Sequence, residues 1–137
     1  MIRSWINFLI IPALVLGCSD RSPPVPAHSP SPADQAVLTE INRIADNEQT
    51  ERTFQYALAA PCRLTIRKLM GGRPYGESSV PLAGIETEIL AYVAGEGFGL
   101  KGYPPGDLPS VDLFDSRTES AAQRAAELIG KLALRCA

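Results

Sequence analysis

Histidine is nearly missing from this 137-residue chain, which has one, His28. Without a second histidine in the body of the chain, Ser-His-Asp and Cys-His triads are excluded and a zinc site loses its usual nitrogen ligands. No Cys-x-x-Cys motif is present, so a thioredoxin-like redox pair is not expected. No apolar run approaches the roughly 20 residues that a membrane-spanning helix needs. Positive charge is not in excess either. Thirteen Lys and Arg stand against 15 Asp and Glu, for a formal net charge of −2, which gives no electrostatic footprint for nucleic acid. "GEGFGLKG" from Gly95 fails both the Walker and the dinucleotide spacing and reads as a glycine-rich hairpin. No loop has the spaced acidic ligands of a calcium site.

What is present begins at the N-terminus. Arg3 is followed by an apolar stretch from Trp5 to Leu16, broken only by Asn7 and Pro12, then by Gly17 and Cys18. A basic start, about a dozen apolar residues and a small residue form the pattern of a secretory signal peptide over residues 1–17. Val15-Leu16-Gly17-Cys18 resembles the lipobox of bacterial lipoproteins. Leu16 is a less usual residue before the small position, and the resemblance covers residues 1–18 only. It implies cleavage before Cys18 and acylation of its sulfur and new amine. Several acyl chains at about 0.8 kcal/mol per buried methylene would anchor the chain stably. Ser19 after the lipid position is compatible with the periplasmic face of the outer membrane, where Asp would favour inner-membrane retention.

Residues 18–32 carry the lipid-site cysteine and continue as "SDRSPPVPAHSPSP", a Pro/Ser-rich tether. At about 3.1 Å per residue it would reach on the order of 40 Å. His28 falls here and reads as a solvated linker residue rather than a metal or proton-transfer site. Removing Arg3 with the leader leaves 12 basic and 15 acidic residues, a net charge of about −3.

Residues 33–137 suit one small domain. Ser31, Pro32 and Asp34 form a helix start, and Val37, Leu38, Ile41, Ile44 and Ala45 fall on one helical stripe that fades near Asn47. "TFQYAL" from Thr53 and "CRLTIRK" from Cys62 alternate as half-buried strands. "GGRPYG" from Gly71 reads as a loop. Shorter strands are expected at Ser78–Leu82, Glu88–Ala94, Phe98–Gly102 and Ser110–Phe114, with Pro81 marking an edge or bulge. Gly95-Glu96-Gly97 is a hairpin turn. Ser116 and Glu119 have capping-box spacing ahead of a C-terminal helix whose stripe is Ala121, Ala125, Leu128, Ile129 and Leu132. The expected fold is α+β: a curved antiparallel sheet of about five or six strands with an amphipathic helix at each end. A small roll resembling pleckstrin-homology architecture is one form of it.

Setting Cys18 aside leaves Cys62 and Cys136, which in an oxidising compartment are expected to pair. Cys62 shares a strand face with Leu64 and Ile66, and Cys136 follows Leu132 by one helical turn. The bond would close a loop of more than 70 residues.

No catalytic residue, metal ligand or cofactor site is assigned. Glu86 and Glu88 could share a strand face, and Asp107, Asp112 and Asp115 could ring a loop, but solvated surface is their ordinary role. Arg63, Arg67, Lys68 and Arg73 are the candidate binding residues. They read either as a docking patch for an acidic partner, peptidoglycan or lipid headgroups, or as strand charge that keeps an edge from aggregating. Lipid, flexible tether and small domain together resemble the layout of pilotins and other assembly accessories. The expected function is a non-enzymatic, membrane-anchored envelope lipoprotein that binds a protein partner. The alternative is a small-ligand or peptidoglycan-binding module.

Overall fold

The structure, a computed structural model, describes residues 30–48 and 51–136. Cys18, His28 and the tether as far as residue 29 lie outside the described residues, and Pro32, the expected end of the tether, is already helical. Helix α1 (Pro32–Asn47) starts as its sequence requires: Ser31 Oγ accepts the Asp34 N–H at 3.2 Å, and Pro32 occupies a position where no N–H is needed. Its stripe of Val37, Leu38, Ile41, Ile44 and Ala45 is buried.

Six strands follow: β1 (Arg52–Ala59), β2 (Arg63–Met70), β3 (Arg73–Pro81), β4 (Glu86–Ala91), β5 (Phe98–Tyr103) and β6 (Val111–Ser116). They form two three-stranded antiparallel sheets, β1-β2-β3 and β4-β5-β6, rather than one curved sheet or a closed roll. Alternation specifies which face of a strand is buried but not its neighbour. Pro81 removes a backbone donor at the end of β3, and the chain then turns through Leu82, whose carbonyl accepts the Ile85 N–H at 3.2 Å. β3 and β4 therefore do not pair.

Other expectations are corrected in detail. "GGRPYG" is not a loop throughout. Gly71 and Gly72 alone make the turn, both at positive φ, and β3 already begins at Arg73. Strand β4 starts at Glu86 and ends at Ala91, and the connection to β5 contains a 3-10 turn, Val93–Gly95, that takes in the first glycine of Gly95-Glu96-Gly97. Helix α2 (Glu119–Leu134) is capped by Thr118, whose Oγ1 accepts from the Ala121 N–H at 3.4 Å. Ser116 instead closes β6, is buried, and donates from Oγ to the Thr118 carbonyl at 2.7 Å.

One core fills the space between the helices and both sheets. Ile41, Leu64, Ile66, Val80, Leu82, Leu100, Leu113, Phe114, Ile129 and Leu132 are essentially inaccessible. Each such side chain contributes roughly 1.5–3 kcal/mol of burial. Two polar contacts set the layers. The Tyr56 hydroxyl donates to the Leu113 carbonyl, tying β1 to β6 inside the core. Glu48, at the C-terminal end of α1, accepts from the Arg117 N–H at 2.7 Å and from Thr118 Oγ1 at 3.4 Å, which fixes the start of α2 against the end of α1. No helix among the described residues is long and apolar enough to cross a membrane.

Candidate functional site

The two cysteines meet, with Cα atoms 5.7 Å apart across 74 residues of sequence. They do not meet as a strand face against a helix stripe. Cys62 lies in the β1–β2 turn, ahead of β2, with a left-handed φ of 45°, and Cys136 lies past the last turn of α2. The bond therefore joins the β1–β2 turn to the C-terminal end of α2. The same end of α2 reaches α1, because Arg135 pairs with Asp34.

The basic candidates divide. Arg63 and Arg67 project from the outer face of β2, as alternation requires. Arg63 Nε donates to Ser79 Oγ at 2.9 Å and its Nη2 to the Ser79 carbonyl at 3.1 Å, so it lies across the neighbouring strand β3. Arg67 faces Glu77 at 4.0 Å. Lys68 falls on the opposite face of β2, with Nζ 5.9 Å from the centre of the Phe54 ring. Arg73 is exposed where β3 leaves the Gly71-Gly72 turn. The four do not form a single cationic patch. The outer face of the first sheet carries Arg63 and Arg67 on β2, with Glu77 of β3 beside Arg67.

The acidic candidates are dispersed too. Glu88 accepts from the Tyr103 hydroxyl at 2.7 Å and pairs in register with Lys101, whose partner on the other side is Asp112. Asp107 alone lies in the β5–β6 loop, apart from Asp112 and Asp115 on β6. Among the described residues no group of three or more His, Cys, Asp or Glu side chains is placed to hold a metal ion.

The concavity with the richest chemistry was not legible in the sequence. It is a cleft of about 510 Å³ lined by Glu51, Arg52, Tyr92, Val93, Glu96, Asp115 and Ser116. Tyr92 lies flat on β5 because Gly99 has no Cβ, which would otherwise collide with the phenol oxygen. Gly97, at φ +126°, lets the chain pass close under the Ser116 carbonyl. The Tyr92 hydroxyl donates to the Asp115 carboxylate. Val93 at the rim is 89% exposed. Carboxylates, one guanidinium, a phenol and a bare aliphatic side chain suit a small polar ligand with an amine and an apolar portion. The only signal in the sequence is Tyr92-Val93 just before the glycine-rich turn. A second concavity, of about 640 Å³, lies between Ile85 and the end of α2, where Leu134 is 78% exposed.

Partial burial holds the Tyr92 phenol well above its ordinary range, reinforced by the hydrogen bond to Asp115. Tyr56 is raised by full burial first and by the Asp115 charge second. A phenol whose folded pKa is raised contributes stability that is complete below the ordinary tyrosine range near 10 and is lost as pH rises through that range toward the folded value, because the unfolded chain ionises first. The domain should therefore weaken progressively above about pH 10. In urea titrations at pH 8 to 11, Tyr56→Phe should lose about 1 kcal/mol at pH 8 with its bond to Leu113 and show a shallower alkaline decline than the parent. Parallel declines would refute the assignment.

No family model, no curated protein and no solved structure matches the chain.

Proposed function

We propose that the chain is a lipid-anchored lipoprotein facing the periplasm, at the outer membrane, where its domain binds or assists an envelope protein partner without catalysing a reaction. The observation that carries this reading is Val15-Leu16-Gly17-Cys18 running directly into the Pro/Ser-rich tether. The pairing of Cys62 with Cys136 supports it, since such bonds persist in exported compartments and are rare where thiols are kept reduced. Acylated Cys18 would be the membrane contact, and the segment between it and the Ser31 cap of α1 the spacer that lets the domain search for its partner. The reading assigns no cofactor and no catalytic residue. A second reading, capture of a small ligand or peptidoglycan fragment, is favoured by the cleft at Tyr92 and Asp115, whose volume falls within the usual range for ligand pockets.

Metabolic labelling with palmitate tests the anchor. The parent chain should take up label and fractionate with membranes. Cys18→Ser should take up none and accumulate as precursor, while continued labelling of that variant would end the lipoprotein reading. Crosslinking and co-purification of the acylated form then separate the two roles. A stoichiometric protein partner supports assembly assistance, and chemical-shift changes at Tyr92 with muropeptides alone support ligand capture.

A further inference from the structure

Strand β3 ends the first sheet, and no other described strand pairs with its free side. The ladder bonds show which of its backbone groups face outward. The Gly71 N–H donates to the Glu51 carbonyl, and the Leu82 N–H donates to the Cys62 carbonyl. In β1–β2 the hydrogen-bonded pairs therefore fall at odd-numbered positions such as Gln55–Arg67, and in β2–β3 at even-numbered positions such as Ile66–Ser78. Glu77 and Ser79, lying between even-numbered neighbours, thus direct their N–H and C=O groups away from β2. Pro81, next in the outward series, has no N–H to leave unpaired. The other edge of this sheet is closed differently. Asn42 of α1 donates to the Tyr56 carbonyl at 3.1 Å and accepts the Tyr56 N–H at 2.8 Å.

We propose that the open edge of β3 pairs with β3 of a second copy of this chain, antiparallel about a two-fold axis at Ser78, giving a continuous six-stranded sheet. In that register Glu77 and Ser79 of one copy form a hydrogen-bonded pair with Ser79 and Glu77 of the other, and both copies use only their outward groups. The charges agree with it. Arg63 lies over Ser79, so pairing brings Glu77 of each copy to Arg63 of the other, twice. Arg63 already occupies one acceptor site of the Ser79 carbonyl, and the second remains for the incoming N–H. Strand β4, also at a sheet edge, lacks this complementarity. Antiparallel self-pairing there would set Glu86 opposite Glu88 about an axis at Thr87, or Glu88 opposite itself about an axis at Glu88, and offers no opposite-charge contact in either register. A strand-edge contact buries less than the roughly 1,200 Å² of a standard interface, so the dimer is reversible and concentration-dependent.

The test uses the mature acylated chain in detergent, at less than one chain per micelle, with the micelle's share of the mass subtracted by combined absorbance and refractive index. Light scattering should show a mass that rises from monomer toward dimer with concentration. Arg63→Glu and Glu77→Arg, each alone, place like charges at both seam contacts and should weaken association roughly tenfold. An equimolar mixture of the two variants restores both opposite-charge contacts and should recover dimer that neither forms alone. Ser78→Cys should crosslink to itself under mild oxidation, since residues facing each other across a non-hydrogen-bonded pair lie about 4.5 Å apart at Cα. Ser120→Cys, exposed at the start of α2, should not crosslink. A monomer at every concentration, a mixture no more dimeric than its components, or equal crosslinking of both cysteine variants overturns the proposal.

Discussion

Cys136→Ala should lower the melting temperature by roughly 10–30 °C, the consequence of losing about 2–5 kcal/mol from a domain of about 100 residues. The bond closes 74 residues, a segment that includes β2 to β6 and α2. Without it the unfolded chain regains the entropy of that loop, and the β1–β2 turn loses its link to the end of α2. Cys62→Ala should cost as much, with the left-handed φ of 45° still imposed on an alanine. Cys62→Gly loses the same bond but relieves that backbone, so it should be the more stable of the two substitutions at this position by about 1 kcal/mol, less the greater unfolded-state entropy of glycine. Denaturation in urea, with mass spectrometry of the non-reduced parent to identify the Cys62–Cys136 peptide, measures both. A Cys136→Ala variant that melts within a few degrees of the parent would show that the staple does not stabilise the domain.

Asn42→Ala is expected to have the next largest effect, about 2–4 kcal/mol, because it leaves a partly buried donor and acceptor on β1 without protein partners, at about 1–3 kcal/mol for each unsatisfied group. Among the described residues, Asn42 is the side chain that bonds both backbone groups of Tyr56, at 3.1 and 2.8 Å. The adjoining Tyr56 side chain carries the hydroxyl link to Leu113, so movement of β1 away from α1 also strains the contact between the two sheets. Asn42→Asp separates the two bonds. A carboxylate can still accept the Tyr56 N–H but cannot donate to the Tyr56 carbonyl, and it sets negative charge against that oxygen. The folded pKa of the introduced carboxyl is thereby raised, so the Asn42→Asp variant should gain stability as pH falls toward about 4, where a protonated carboxyl can donate again. Melting curves at about pH 4 and about pH 7 check the sign. A variant whose deficit is the same at both values would remove the donor role assigned to Asn42.

Several features of this protein were determined by the sequence alone because they are local. The helix stripe of α1, the cap at Ser31, the alternation in β1 and β2 and the edge character of Pro81 each depend on neighbours within a turn or on strand period, and each stands in the structure; the stripe of α2 stands except at its start, where Ala122 is buried and Ala121 only partly so. That Cys62 and Cys136 would pair was expected from their count and an oxidising compartment, whereas the expected geometry of strand face against helix stripe failed, because Cys62 lies in the β1–β2 turn and Cys136 past the end of α2. The tertiary structure decided what depends on distant partners. Strand alternation is satisfied equally by one six-stranded sheet or by two sheets of three, and the choice rests on the turn after Pro81 and on packing beneath Leu82. Strand period alone puts Lys68 on the face opposite Arg63 and Arg67, but the bonds from Arg63 to Ser79 and the placing of Glu77 beside Arg67 follow only from the pairing of β3. Nothing local marks Asn42, since its partner on β1 is fixed only when α1 docks along that edge. The cleft around Tyr92 and Asp115 draws on Glu51, the β4–β5 connection and β6, which no local pattern links. Short-range periodicity is set by the backbone itself, whereas the neighbours of a strand and the walls of a cleft are set by which arrangement buries the common core.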